Sequence, residues 1–362
     1  MPDVATFERN AAKRFGAHTV VRGAQLPRDF PRLPSSVYAF DYATGGGFPV
    51  GGVSSCLYGP PGGGKSLLLL KTIACAQKLC WCCFQYQWDC TCEKDPLVQK
   101  VVLINTEPFD PEWAECLGVD LDNLVVVEPE YGEQAGDAIS TALTATDCGL
   151  VCLDSIAMLI PIEELEKPFE ESVVAVQARL VSRIMRVAQA RLIKENKRGH
   201  KVTFIATNHI RSKIGQFFGN PEEVPGGWAA KHTWNLTMRM SQLKTEDDNI
   251  DKDTGLSINA KFRASNTALT NKRKIFMLHG SAEFYCTMAT TEEFVKGTIP
   301  DFKTVEKAAD EIEFIGRNPW SILDREYGTK TELIDDWKES AWYMSVKKKL
   351  VDQYREMAKM EL

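Results

Sequence analysis

The stretch SSCLYGPPGGGKSLLLLKTIA constrains the fold more than any other part of the chain. GPPGGGKS, Gly59–Ser66, satisfies G-x-x-x-x-G-K-[ST], with strand-like text before it and helix-like text after it. That order is what a phosphate loop requires. Gly59, Pro60, Pro61, Gly62, Gly63 and Gly64 form a turn whose glycines let backbone N–H groups converge on a phosphate, and the helix adds its positive end. Lys65 is placed to reach the β- and γ-phosphates and the Ser66 hydroxyl to bind Mg²⁺.

The text around the loop alternates as an α/β fold does. Short apolar strands are expected at VSSCLYG, VVLINT (101–106), LVVVE (124–128), LVCLDS (150–155) and VTFIAT (202–207). Helix-period runs separate them, the longest being SVVAVQARLVSRIMRVAQARLIKENK, which stops at Gly199. TWNLTMRMS (233–241), LSINAKFR (256–263) and RKIFMLHG (273–280) follow without helices and are expected to pair antiparallel, with TEDDNIDKDTG (245–255) as an acidic loop. After about Phe294 the text reads as charged helices. Three regions are expected: residues 1–35, too small to hold a core; a 36–290 ATPase core with a Cys-rich insert at about 80–95; and a helical 291–362 extension.

A phosphate loop alone gives nucleotide binding. Hydrolysis needs an acid that orients the metal and a group that positions water. LVCLDS ends in Asp154, the form of a Walker B strand, with its carboxylate aimed at the Mg²⁺ shell. VVLINTE puts Glu107 just past a second buried strand, at the edge where the nucleotide crevice lies. There it is either a base for the attacking water or a solvated loop carboxylate.

The formal net charge of −6 argues against a uniformly basic nucleic-acid binder. It leaves room for a local basic groove, since charge acts over ~8 Å at physiological salt. No apolar run approaches the ~20 residues that span a bilayer, and the N-terminal text is charged where a signal peptide is apolar. A cytoplasmic protein with no membrane partner is expected. Eleven cysteines, an odd number, then suggest reduced thiols or a metal site.

In order along residues 10–280, several stretches resemble the RecA recombinases. They are LPSSVYAFDYATGGGFPVGGVSSCLYGPPGGGKS, TEPFDPEWAECLGVDLDNLVVVEPEYGEQA, LVCLDSIAMLIPIEELE and ATNHIRSKIGQFFGNPEEVPGGWAAKHTWNLTMRM. The resemblance implies a RecA-like P-loop ATPase core with a mostly parallel sheet. It implies an ATP- and Mg²⁺-dependent recombinase that forms helical filaments on single-stranded DNA, pairs it with duplex DNA and exchanges strands. Lys65 and Ser66 would bind phosphate and Mg²⁺, Glu107 would activate water, Asp154 would act on Mg²⁺, and Trp113 would stack on adenine.

The resemblance also implies two DNA-binding loops. The first falls near Glu163–Val174, with Arg179 on the next helix as a phosphate contact. The second is Arg211–Gly227: Arg211, Ser212 and Lys213 would offer polar contacts, Ile214 and Phe218 would wedge between bases, and Gly215, Gly219, Gly226 and Gly227 would keep the loop pliant, with core packing of Phe217 and Phe218 as the alternative. AAKRFGAHTVVRG resembles the family's oligomerisation segment. Where the family strand ends in Asn-Gln, with the glutamine sensing the γ-phosphate, this chain has Asn208-His209. Histidine can also donate a hydrogen bond, and a core histidine without a sensing role is the alternative. The resemblance further implies a lysine pair that reaches a neighbouring subunit's ATP site; Arg263 and Lys272 are the candidates for it here, and a solvated basic strand end is the alternative.

The insert CWCCFQYQWDCTC has no counterpart in that resemblance. Cys80-x-x-Cys83 and Cys90-x-Cys92 suit a tetrahedral Zn²⁺, with Cys82 able to replace Cys80 or Cys83. Free thiols under an aromatic cluster are the alternative. Two other functions stay open: a ring ATPase or helicase on the same core, and a weakly hydrolysing regulatory DNA-binding protein.

Overall fold

The computed structural model describes residues 3–16, 19–25, 29–168, 175–212, 222–225, 233–244, 259–266, 277–288, 296–312, 315–317, 320–322, 325–329, 332–333 and 341–360. In chain order its first elements are helix α1 (Val4–Phe15), strand β1 (Arg32–Leu33), helix α2 (Tyr38–Thr44), and strands β2 (Phe48–Pro49) and β3 (Ser54–Gly59). Then come α3 (Lys65–Ala76), β4 (Lys100–Asn105), α4 (Pro111–Cys116), β5 (Leu124–Val127), α5 (Gly132–Ala142) and β6 (Cys148–Asp154). α6 (Ile162–Glu166), α7 (Val176–Lys197), β7 (Thr203–His209), β8 (Arg211–Ser212), β9 (Glu222–Glu223), β10 (Leu236–Leu243), β11 (Asn259–Asn266) and β12 (Ser281–Thr287) follow.

An eight-stranded sheet in the order β12-β11-β10-β3-β7-β6-β4-β5 carries the core. From β10 to β5 every pairing is parallel, and β10-β11-β12 run antiparallel. The chain is therefore α/β with a mostly parallel central sheet. β3, β6 and β7 are buried almost throughout, as strands covered by helices on both faces must be. Leu68 and Ile73 of α3 join Leu57 and Leu103 in one apolar layer, while Ile184 and Leu192 of α7 join Val151 and Phe204 in the other.

Two expectations fail. The last sheet strand is Ser281–Thr287, not 273–280: residues 277–280 are not strand and 273–276 lie outside the described residues. Leu278 and His279 instead donate their backbone N–H groups to the Ala43 carbonyl, which ends α2 against the sheet edge. The tail is not purely helical either. Ile315–Arg317, Trp320–Ile322 and Arg325–Tyr327 form a three-stranded antiparallel sheet. It accompanies helices Phe302–Glu311 and Ala341–Met360. Tyr38 of α2, Val305, Ile322, Val346 and Leu350 share one apolar cluster, so the tail packs on the segment leading to β3. Among the described residues, no helix is long and apolar enough to cross a membrane.

Asp41 of α2 is buried and accepts from the Ser35 N–H (2.9 Å) and hydroxyl (2.7 Å). Burial pushes its carboxyl up to about 7, against the pull of Ser35 and Lys347. Between the ordinary carboxyl value and that one, the folded chain holds a proton that the unfolded chain has released. Asp41 thus supports the fold in acid, and this support is lost as pH rises through about 7. Asp41→Asn is therefore expected to gain stability relative to the parent between about pH 5 and about pH 8, by on the order of 2 kcal/mol. Urea unfolding at the two pH values measures it; an unchanged difference would count against a buried neutral Asp41.

Candidate nucleotide site

The parallel strands deliver their C-terminal ends to one edge. Gly59 closes β3 opposite His209 of β7, and Asn105 of β4 lies opposite Asp154 of β6. The loop from Gly59 to Gly64 turns back over this edge into α3. Gly64 needs to be glycine twice over: its φ is +82°, and a Cβ there would meet the Phe262 ring at 2.6 Å. Gly59 passes the Met240 carbonyl so closely that a Cβ would sit 2.0 Å from it.

Lys65 is buried and donates to the Gly59 and Pro60 carbonyls at 3.2 and 2.9 Å. Burial lowers its pKa, and the nearby carboxylates of Asp154 and Glu107 oppose this. Asp154 lies beside the Ser66 hydroxyl and accepts from the Thr207 hydroxyl of the neighbouring strand. Burial raises its carboxyl above the usual range, with Thr207 and Ser66 pulling the other way. A buried carboxylate beside a hydroxyl, with a lysine close by, is a donor set that fits Mg²⁺ and phosphate.

Glu107 follows β4. Its Oε1 lies 2.8 Å from His209 Nε2. Burial raises this carboxyl too, but Ser155 and His209 beside it outweigh the effect and hold it below the usual range. Thr106 bridges the strand ends: its N–H donates to the Asp154 carbonyl at 2.7 Å and its hydroxyl accepts from the Ser155 N–H at 2.8 Å. Gly59–Ser66, Glu107, Asp154 and His209 thus converge. The sequence reading missed Thr106 and Thr207, and it did not pair Glu107 with His209. Thr207 stands directly before Asn208-His209 on a strand whose neighbour carries Asp154, a signal legible only once the strand order is known.

The RecA N-terminal domain family model matches residues 4–276. The chain belongs to the RecA family. Protein RecA of Mesomycoplasma hyopneumoniae strain 7448 is 36% identical over 265 residues, covering 72% of this chain and 71% of that one. Protein RecA of Aquifex aeolicus is 34% identical over 237 residues, covering 65% and 62%. A crystal structure of the RadB recombinase aligns with a TM-score of 0.47 at 19% identity, covering 70% of this chain and 96% of that one.

Other expected residues of this RecA-family chain lie further out. Trp113 sits on α4, packs against the core, and has the Lys296 ammonium 5.3 Å from its ring centroid. Arg179 is exposed on the first turn of α7, near the Glu163 carboxylate of α6. Arg211 and Ser212 form β8, paired with Glu223 and Glu222 of β9. Lys213, Ile214, Gly215, Phe218, Gly226 and Gly227 lie outside the described residues, as do Lys272 and residues 169–174 of the first loop. Arg263 pairs across strands with Glu283. The sulfurs of Cys80, Cys83, Cys90 and Cys92 all lie within 4.8 Å of one another, a group able to hold a metal ion. Cys82 is exposed and not part of it.

Proposed function

We propose that this RecA-family chain is an ATP- and Mg²⁺-dependent recombinase of the cytoplasm. It forms helical filaments on single-stranded DNA, pairs that DNA with homologous duplex, and exchanges strands. The observation that carries the reading is the contact between Glu107 and His209. It joins the residue placed to activate water to the strand that runs, two residues later, into Arg211 and the second DNA loop. Asn208 extends the link by donating to the Pro225 carbonyl at 2.9 Å, on the far side of that loop. A γ-phosphate that draws Glu107 toward water alters the His209 contact, and DNA on the loop alters it from the other side. That is a two-way coupling.

In this reading Lys65 and Ser66 hold phosphate and Mg²⁺, Asp154 orients the Mg²⁺ shell, and Trp113 stacks on adenine. Arg179, Arg211, Ser212, Lys213, Ile214, Gly215, Phe218, Gly226 and Gly227 serve DNA. Residues 1–35 bind the neighbouring subunit, 36–290 form the core, and 291–362 form an extension. The four-thiol cluster of the insert binds Zn²⁺.

ATP turnover measured with and without single-stranded DNA tests the proposal. Strong stimulation is expected, followed by strand exchange in a pairing assay. An unstimulated rate with intact nucleotide binding would sink the coupling and favour a regulatory DNA-binding protein. A closed six-subunit species by native mass spectrometry, in place of polydisperse filaments, would favour a ring ATPase.

Helix α1 supports the filament. Val4, Phe7 and Phe15 are 74%, 63% and 59% exposed on a helix whose Ala11 is buried. A helix with that much bare apolar surface suits burial against a second copy. Phe7→Asp with Phe15→Asp is expected to weaken self-association about tenfold or more, since burying one phenyl ring contributes roughly 1.5–3 kcal/mol. Sedimentation across a concentration series reads this. Unchanged assembly would move the contact elsewhere.

A further inference from the structure

The insert leaves the end of α3 and buries Trp81, Phe84 and Tyr86 in the same apolar layer as that helix. Its first turn is closed by an antiparallel bridge between Leu79 and Tyr86, with the Cys80 N–H donating to the Gln85 carbonyl and the Phe84 N–H to the Cys80 carbonyl, both at 2.8 Å. Phe84 adopts φ +58°, a left-handed conformation costly for a bulky residue. The turn it makes lets the Cys82 and Cys83 N–H groups reach back to the Cys80 sulfur, while the Gln85 N–H reaches that of Cys83. The Cys92 N–H faces Cys90 Sγ at 3.5 Å.

Cys83 Sγ and Cys90 Sγ are 3.7 Å apart. A disulfide would need ~2.05 Å. Four ~2.3 Å bonds at tetrahedral angles place sulfurs ~3.8 Å apart, so the spacing matches one thiolate-bound Zn²⁺.

What such an ion would fasten is set by the segment between the two thiol pairs. On one side it grips the end of the phosphate-loop helix. Gln87 Nε2 donates to the Gln77 carbonyl at 2.8 Å, and the Tyr86 hydroxyl lies 3.7 Å from Cys75 Sγ. On the other side it meets the C-terminal helix Ala341–Met360. Trp88 stacks on Tyr86 at 4.9 Å and donates its indole N–H to Ser345 Oγ at 2.8 Å, and Asp89 lies 3.8 Å from Lys349 Nζ, four residues further along the same helix face. Trp88 is 44% exposed, so burial alone does not hold it there.

We infer that Zn²⁺ in the four-cysteine site acts as a clasp, docking the C-terminal helix onto α3 through Trp88 and Asp89. The inference rests on the Zn²⁺ reading of the cluster. The ion closes both ends of the loop and removes conformational freedom that would otherwise oppose the two contacts.

The test uses the full chain and no readout of ATP or DNA. Metal analysis of the purified protein, and the absorption of its Co²⁺-substituted form, come first. One Zn²⁺ per chain and a tetrahedral thiolate–cobalt spectrum are expected. A metal-free protein, or a red iron-containing one, would overturn the Zn²⁺ site itself. Hydrogen exchange of Ala341–Met360 follows, with α7 as internal control. Chelation is expected to speed exchange in the C-terminal helix alone. Trp88→Phe is expected to keep the metal yet speed the same amides roughly three- to tenfold, the loss of one hydrogen bond. Stoichiometric Zn²⁺ with exchange unmoved by both treatments would overturn the clasp and leave the metal site standing.

Discussion

Glu107→Gln is expected to cut ATP turnover by about 10²–10⁴-fold while leaving nucleotide binding within a few-fold of the parent, as removal of a positioned general base does. Glutamine keeps the shape and can still meet His209, so the fold and the strand-end contacts survive. It cannot take a proton. The carboxylate is held below its usual pKa by Ser155 and His209, so it is ionised at neutral pH. Its charge also acts on Lys65, which makes a small change in phosphate affinity understandable. Single-turnover hydrolysis beside equilibrium binding of a fluorescent ATP analogue separates the two effects. Loss of binding with unchanged hydrolysis of what is bound would remove Glu107 from the chemistry and return it to the loop-carboxylate reading. Normal turnover would do the same.

The parallel half of the sheet was legible because two signals agreed. Apolar runs of strand length recur between helix-period runs, and the phosphate loop fixes the direction of β3 and α3. The other end shows where such reading breaks down. RKIFMLHG carries its apolar residues as one unbroken run, IFML, and the expected strand was placed on that run, just before the strand that forms. The strand that forms is the alternating one: Ala282, Phe284 and Cys286 face in while Glu283 and Tyr285 are exposed. Alternation, not an unbroken apolar run, decides which residues can lie on a half-buried edge. In the tail, helix-period text on both sides of Ile315–Tyr327 swamped three very short strands.

The site divides along the same line. Lys65, Ser66 and Asp154 come from local motifs, each carrying its own strand or loop context. The meeting of Glu107 with His209 is a property of topology, since β4 and β7 flank β6 on opposite sides. Parallel registers level the strand ends, so residues about a hundred positions apart meet over Asp154. Nothing local in either segment announces that. The thiol cluster was legible as a spacing: the four cysteines named from it, Cys80, Cys83, Cys90 and Cys92, are the four whose sulfurs meet, and the substitute Cys82 is exposed outside them.

Lys65→Ala is expected to lower ATP turnover by at least about 10²–10³-fold and to weaken nucleotide binding with it, since a buried cation facing transferred phosphate acts in both the ground and the transition state. The ammonium donates to the Gly59 and Pro60 carbonyls, two bonds across the turn. On the proposed reading, phosphate oxygens would replace those carbonyls as partners, within the loop itself. Alanine gives up those two bonds and takes the cation away from the buried Asp154, so a modest fall in the melting transition is expected beside the loss of turnover. Lys65→Arg is the sharper companion. It keeps the charge, but a planar guanidinium must fit where Gly64 packs on Phe262 and Gly59 on Met240. If position 65 supplies only positive potential, arginine restores turnover. If it supplies a point charge in a cavity of fixed size, arginine fails nearly as badly as alanine, and that is the expected result.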